Sequence, residues 1–254
     1  MIEGLTRGFA RRLLTVAACA FSLGAGAADL KVVAPNAVKE AVAAIATAFE
    51  KTTGHRVVFT WGGSEAIAKR VSGGEVFDVV ITTAAGVDRL AADGKLVAGT
   101  RTDFSRSAVA AAVRAGLPRP DISTVDGLRK ALLAADSIAI SSGASGRYLE
   151  QLFQRIGVAD QIKHKIKQPP SGAQIADLIA RGDADLGFQQ VTELVHAKGV
   201  DYLGPLPAEL QGYTVWAAGR HAAAPQPDVA RAFMGTLSAP ESAAAIRRSG
   251  MDPL

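Results

Sequence analysis

Short β-rich runs alternate with helical stripes along most of this chain, and that alternation limits the fold more than any other feature. Leu30-Lys31-Val32-Val33-Ala34 predicts a strand, and the following stretch, 38–51, carries Val38, Val42, Ile45 and Phe49. Spacings of four, three and four put those side chains on one helix face. Gly54 then ends the helix in the usual C-terminal manner. The same patterns predict strands over 55–61 and 78–82, and helices over 65–72 and 87–92, the last stopped by Asp93-Gly94. Further along they predict helices over 124–134, 147–156, 174–180 and 192–197, with strands over 137–140, 185–189 and 200–203. Strands alternating with helices imply an α/β fold with mainly parallel sheets flanked by helices.

Two extended apolar segments, 108–115 and 213–218, interrupt the pattern because no strong helical stripe follows them at once. They are the expected crossovers, and the hinge, between two lobes. Lobe 1 would hold 29–110 plus 215–254, and lobe 2 would hold 111–214. The simpler alternative is one large α/β domain. About 226 residues suffice for either arrangement. Hydrophobic residues make up 48% of the chain, ample for a packed core.

The N-terminus reads as an export signal covering 1–28. Arg7, Arg11 and Arg12 make it basic, 13–23 is almost wholly apolar, and Gly24-Ala25-Gly26-Ala27-Ala28 offers small residues for cleavage. Two rival readings exist. Val16-Ala17-Ala18-Cys19 resembles a lipoprotein box, and Arg11-Arg12 resembles a twin-arginine signal. An ordinary secretory signal fits the order of segments better, and it points to the periplasm. Cys19 is the only cysteine, so a processed chain would carry no disulfide and no thiolate metal site. Its charge would be about +2 without any long Lys or Arg run, which gives nucleic acid no electrostatic footprint.

Ligands of open α/β sheets sit beyond the carboxyl ends of the strands. The loops there are Pro35-Asn36-Ala37, Gly62-Gly63-Ser64-Glu65, Thr82-Thr83-Ala84, Ser141 to Arg147, Pro170 to Gln174, and Gln189-Gln190. They are rich in hydroxyls, amides and glycine. Any one of them reads as an ordinary helix cap. Together, helix N–H groups with hydroxyls from Ser64 and Ser145 form a surface for an anion. Arg147 is the one cation in this set and could fork onto a carboxylate. Trp61 reads either as a pocket wall or as core.

Catalytic signatures are mostly missing. Gly143-Ala144-Ser145-Gly146 falls short of G-x-S-x-G because Arg147 stands at the last position. His55, His164, His196 and His221 have no metal-ligand spacing, and no phosphate loop or dinucleotide fingerprint occurs. No metal and no cofactor is expected.

The stretches 45–49, 67–71, 78–82, 146–157 and 184–187 resemble the molybdate-binding protein family of ABC importers, a branch of the type II periplasmic solute-binding proteins. The likeness runs nearly from Asp29 to Leu254. It implies a monomer that closes two lobes on a small anion and delivers it to an inner-membrane permease. The family's two oxyanion-binding serines fall near Ala37, where only Asn36 is polar, and at Ser64. Its backbone donors fall at Ser145 and near Gly172, and its binding tyrosine falls near Gln190. Arg147 is an added charge, which brings an organic polycarboxylate alongside molybdate as the expected ligand. Relatives of this type are also known as isomerases of unsaturated tricarboxylates such as aconitate. For that chemistry Glu65 is the candidate base.

Overall fold

A computed structural model describes residues 27–254. The export signal predicted over 1–28 therefore lies almost wholly outside the described residues. The first half runs β1 (Asp29–Pro35), α1 (Lys39–Thr53), β2 (Arg56–Gly62), α2 (Ser64–Ser72), β3 (Val79–Thr83) and α3 (Ala84–Ala92). It continues through β4 (Thr102–Arg114), α4 (Val125–Ala134), β5 (Ile138–Ile140), α5 (Ala144–Arg155), α6 (Ala159–Ile162) and β6 (Ile166–Lys167). Then come α7 (Ile175–Arg181), β7 (Leu186–Gln190), α8 (Val191–Leu194), β8 (Val200–Pro205) and β9 (Tyr213–Arg220). The chain finishes with α9 (Pro227–Leu237), α10 (Ala243–Arg248) and β10 (Asp252–Pro253).

The strands follow the order β2-β1-β3-β9-β4-β7-β5-β6, with β8 and β10 also on β4. β2, β1 and β3 pair in parallel, as do β7, β5 and β6. β4 joins the two groups and is antiparallel to all its neighbours. Its residues 102–108 pair with β9, and 109–113 pair with β7. The partner thus changes between Ala108 and Val109, inside a single extended strand. This is the α/β architecture with two mainly parallel groups that the alternation implied. The antiparallel seam is the part that alternation does not reveal.

Both faces of each group are covered, so the strands are continuously apolar rather than alternating. Along β1, Leu30, Val32 and Ala34 pack with Val42, Ile45 and Phe49 of α1, while Val33 packs with Ile67 of α2 and Leu90 of α3. Phe49 meets Phe233 of α9 edge-on at 5.3 Å. In the other group Val109, Ala111 and Val113 face α4 and α5, while Ala110 and Ala112 face α7 and α8. Gly54 takes φ 75° at the end of α1, a conformation that costs glycine nothing. Among the described residues no helix is long and apolar enough to cross a membrane.

Asp78, 1% exposed, fastens this frame. Its carboxylate accepts from the backbone N–H groups of Lys31 at 2.8 Å and Gln226 at 2.7 Å. Asp78→Ala leaves both donors unpaired and should lower stability by about 3 kcal/mol in urea melts, with no direct effect on the ligand loops.

Several boundaries differ from the sequence reading; β4, for one, begins at Thr102 and not near 108. α5 starts at Ala144, three residues before Arg147, because Gly146 lies so close that an added Cβ would stand 1.6 Å from the Ser141 carbonyl oxygen. Glycines at 143 and 146 hide this first turn from propensity. α8 covers only Val191–Leu194. α9 and α10 were not anticipated, and they cover the outer side of α1.

Candidate ligand-binding site

Five loops meet where the parallel strands end. β1 delivers Asn36 and Ala37, β2 delivers Gly62, Gly63 and Ser64, and β5 delivers Ser141, Gly143 and Ala144. Residues 171–173 precede α7, and β7 ends in Gln189 and Gln190. With Glu193 and Trp216 these residues enclose a cavity of about 40 Å³. The loops also touch each other across it. Asn36 Nδ2 donates to the Gly172 carbonyl at 3.2 Å, and Gly63 lies against Ser171 and Gly172 with no space for a side chain.

Two helix starts at this cavity, those of α2 and α5, differ from the capped starts of α3 and α4. Thr83 and Thr124 cap α3 and α4 in the ordinary way, accepting from Gly86 N and Gly127 N at 3.0 Å. α2 and α5 have Gly63 and Gly143 at their caps and no side-chain cap bond. Ser64 is the first residue of α2 and lines the cavity. Ser145 is 2% exposed and pairs its Oγ with Ser141 Oγ at 2.9 Å. The capping role that would explain these serines locally is therefore not the one they perform. Two helices bring uncapped, electropositive N-termini to one small space, an arrangement suited to an anion.

Other polar atoms around the cavity also lack a protein partner. Ser171 Oγ, Gln190 Oε1 and Trp216 Nε1 are buried without one. Gln190 Nε2 lies 2.9 Å from Thr214 Oγ1. A hydroxyl can bond either atom of an amide, so Gln190 can turn N–H or C=O toward a ligand. Each buried polar atom left unpaired costs about 1–3 kcal/mol. A polar ligand in the cavity would pair the three found here.

The sequence-predicted residues divide cleanly. Asn36, Ala37, Ser64, Gly172 and Gln190 line the cavity, and Ser145 lies just behind Ser141. Arg147 does not line it. Its guanidinium is paired with the Glu65 carboxylate, bridging α5 and α2. Both flank a second recess of about 240 Å³, shared with Ser64, Thr82, Thr83 and Arg89. Trp61 stacks on Phe59 at 4.5 Å and belongs to the core around α1.

Sequence reasoning missed Glu193 and Trp216, while Ser171 and Gln189 lie in loops it named without singling them out. Glu193 sits in the single turn of α8, and Gln189 Nε2 donates to its Oε1 at 2.8 Å. Burial pushes the Glu193 carboxyl up to about 8, against the opposing pull of a hydrogen bond from Gln174. A glutamate three residues after the Gln-Gln strand end was the available signal, but it reads locally as an ordinary acidic first turn.

A family model for bacterial extracellular solute-binding proteins matches residues 30–252. The chain belongs to that family. This solute-binding protein is 33% identical over 231 residues to an aconitate isomerase of a Pseudomonas species, covering 89% of this chain and 88% of that one. It is 26% identical over 187 residues to the molybdate-binding protein ModA of Azotobacter vinelandii, covering 72% and 73%. The solved periplasmic molybdate-binding protein of Azotobacter vinelandii superposes with a TM-score of 0.74 at 24% identity, covering 87% of this chain and 98% of that one. The solute-binding protein is thus ModA-like and has the type II fold, and a substrate-binding role follows from its family.

Proposed function

We propose that this protein works in the periplasm after loss of residues 1–28, as the substrate-binding subunit of an ABC importer. Its lobes, 29–110 with 215–254 and 111–214, hinge at β4 and close on a small organic polycarboxylate. The observation that carries this reading is the cavity itself: two uncapped helix N-termini and three unpartnered buried polar atoms around one space. Neutral donors of this kind suit one anionic group, whether oxyanion or carboxylate. The adjoining recess carries Arg89, Arg147 and the Glu65 carboxylate paired with Arg147, with Ser64 common to both spaces, and this net positive charge can meet a second carboxylate. A tetrahedral oxyanion would leave that recess unused.

A second reading has its own support. The likeness to an aconitate isomerase, together with Glu193 inside the cavity, fits isomerisation of an unsaturated tricarboxylate. A base would take a proton from the methylene beside the double bond, the electron pair would shift, and the proton would return to the far allylic carbon. Glu193 is better placed for this than Glu65, whose carboxylate is engaged by Arg147.

Thermal-shift measurements against molybdate, sulfate, citrate and the two aconitates test the first reading. A ligand at a hundred times its Kd should add about 2.7 kcal/mol. Arg147→Ala should then weaken a polycarboxylate about tenfold or more by calorimetry, and molybdate hardly at all. Binding of molybdate alone, indifferent to Arg147→Ala, would remove the polycarboxylate. Interconversion of the aconitates, followed by NMR of the vinyl proton, would make the isomerase reading the better one.

A further inference from the structure

The cavity that gathers donors for an anion also contains a carboxyl group. Glu193 is the single ionisable side chain among its lining residues. An ionised carboxylate there would face any bound anion at close range, where like charges repel. Gln189 and Gln174 offer such a charge neutral donors only. None of the ion pairs among the described residues involves Glu193.

The hydrogen bonds around Glu193 are fixed by what lies behind them. Gln189 Oε1 accepts from Ile175 N at 3.0 Å, and only an oxygen can do so. The Gln189 amide nitrogen is therefore the atom that faces Glu193 Oε1, and one carboxyl oxygen is held as an acceptor. Gln174 is a second neutral donor to this carboxyl, and a proton on Glu193 goes to the oxygen that Gln189 does not hold. Charged and titratable groups of the neighbouring elements lie on the outer groove that Glu193 also borders: Lys39 and Glu40 from α1, Asp177 from α7, and His196 and Lys198 beyond α8. His196 is committed elsewhere, with Nε2 3.3 Å from the Arg248 carbonyl.

We propose that Glu193 takes part in binding as the neutral acid, its O–H donating to the anion, so that each ligand is captured together with one proton. The proposal rests on the reading of the cavity as an anion site and adds the group that sets its pH response. Burial alone holds the carboxyl up at about 8, so the competent form already prevails at neutral pH. The sign follows from linkage. Deprotonation removes the donor and adds a repelling charge, so affinity is level below the pKa and falls about tenfold per pH unit above it. Bound anion raises the pKa further, so proton uptake accompanies binding only above the free-protein value.

Titration calorimetry in buffers of different ionisation enthalpy tests this, with molybdate and cis-aconitate as probes. With a pKa near 8, uptake should rise from about 0.1 proton per ligand at pH 7.0 to about 0.9 at pH 8.8, while Kd weakens about sevenfold. Glu193→Gln should abolish both the uptake and the pH slope. A carboxyl 13C titration of the ligand-free protein should place the resonance missing from Glu193→Gln near pH 8. Uptake that stays at zero across this range would overturn the proposal, as would a slope that survives in Glu193→Gln. A Glu193 resonance titrating in the ordinary carboxylate range would do the same. If neither probe binds at any pH while that resonance titrates near 8, the anion reading fails and the proposal falls with it.

Discussion

Gly63→Ala should cost this protein about a hundredfold or more in ligand affinity and leave its ligand-free stability almost untouched. Gly63 has φ −86° and ψ 152°, which alanine adopts without strain. Its added Cβ would stand 2.1 Å from Ser171 Oγ, 2.5 Å from Gly172 N and 2.9 Å from Ser171 C. Two of those are backbone atoms, so no side-chain rotation relieves the overlap. All three belong to the loop facing Gly63 across the cavity, so under the proposed two-lobe closure the clash arises only in the closed form. Blocking closure removes half the donors from the ligand, and a hundredfold corresponds to about 2.7 kcal/mol. The ligand-free melting temperature should move by less than about 2 °C, as for a surface substitution. Small-angle scattering should show the radius of gyration shrinking with ligand in the native protein but not in the variant. Unchanged affinity in Gly63→Ala would mean that these loops do not meet around the bound ligand.

Gly146→Ala should do the opposite and damage the fold first. Its Cβ would stand 1.6 Å from the Ser141 carbonyl oxygen and 2.7 Å from the Ser141 carbonyl carbon, both within the same half of the molecule. No opening of the cleft relieves this overlap. α5 must move off the end of β5, which disturbs the packing of Leu149, Leu152 and Phe153. Overpacking of this severity should cost about 3 kcal/mol, or roughly 6–12 °C in melting temperature for a chain of this size. Affinity should fall as well, because Ala144 and Ser145 move with the helix. Gly143→Ala is the control. Its Cβ would stand 3.7 Å from Ser141 Oγ, ordinary contact, and it should cost less than about 1 kcal/mol. Equal losses at 143 and 146 would show that helix entropy, and not the Ser141 contact, decides the outcome.

The alternation of strands and helices was legible in the sequence because its physical basis is local. Apolar spacing along 38–51 reports which face of α1 is buried, and Gly54 reports where that helix stops. Loops beyond parallel strands are recognisable for the same reason, so Asn36, Ser64, Gly172 and Gln190 were found at the cavity. Tertiary structure alone decided the rest. At α2, Gly63 lies against the loop at 171–172, and at α5, Ser145 turns to Ser141 instead of capping. Arg147 looked like a free cation in its own segment, yet 82 residues separate it from the Glu65 carboxylate that holds it. Trp216 reaches the cavity from β9, and Ser171 from a loop whose partner lies more than a hundred residues away. Glu193 is the clearest case. Its local sequence describes an acidic first turn of a short helix, and only the neighbours that exclude water from it raise its pKa. Periodicity records which side of an element is buried, whereas desolvation and lobe contact belong to groups brought together by the path of the whole chain.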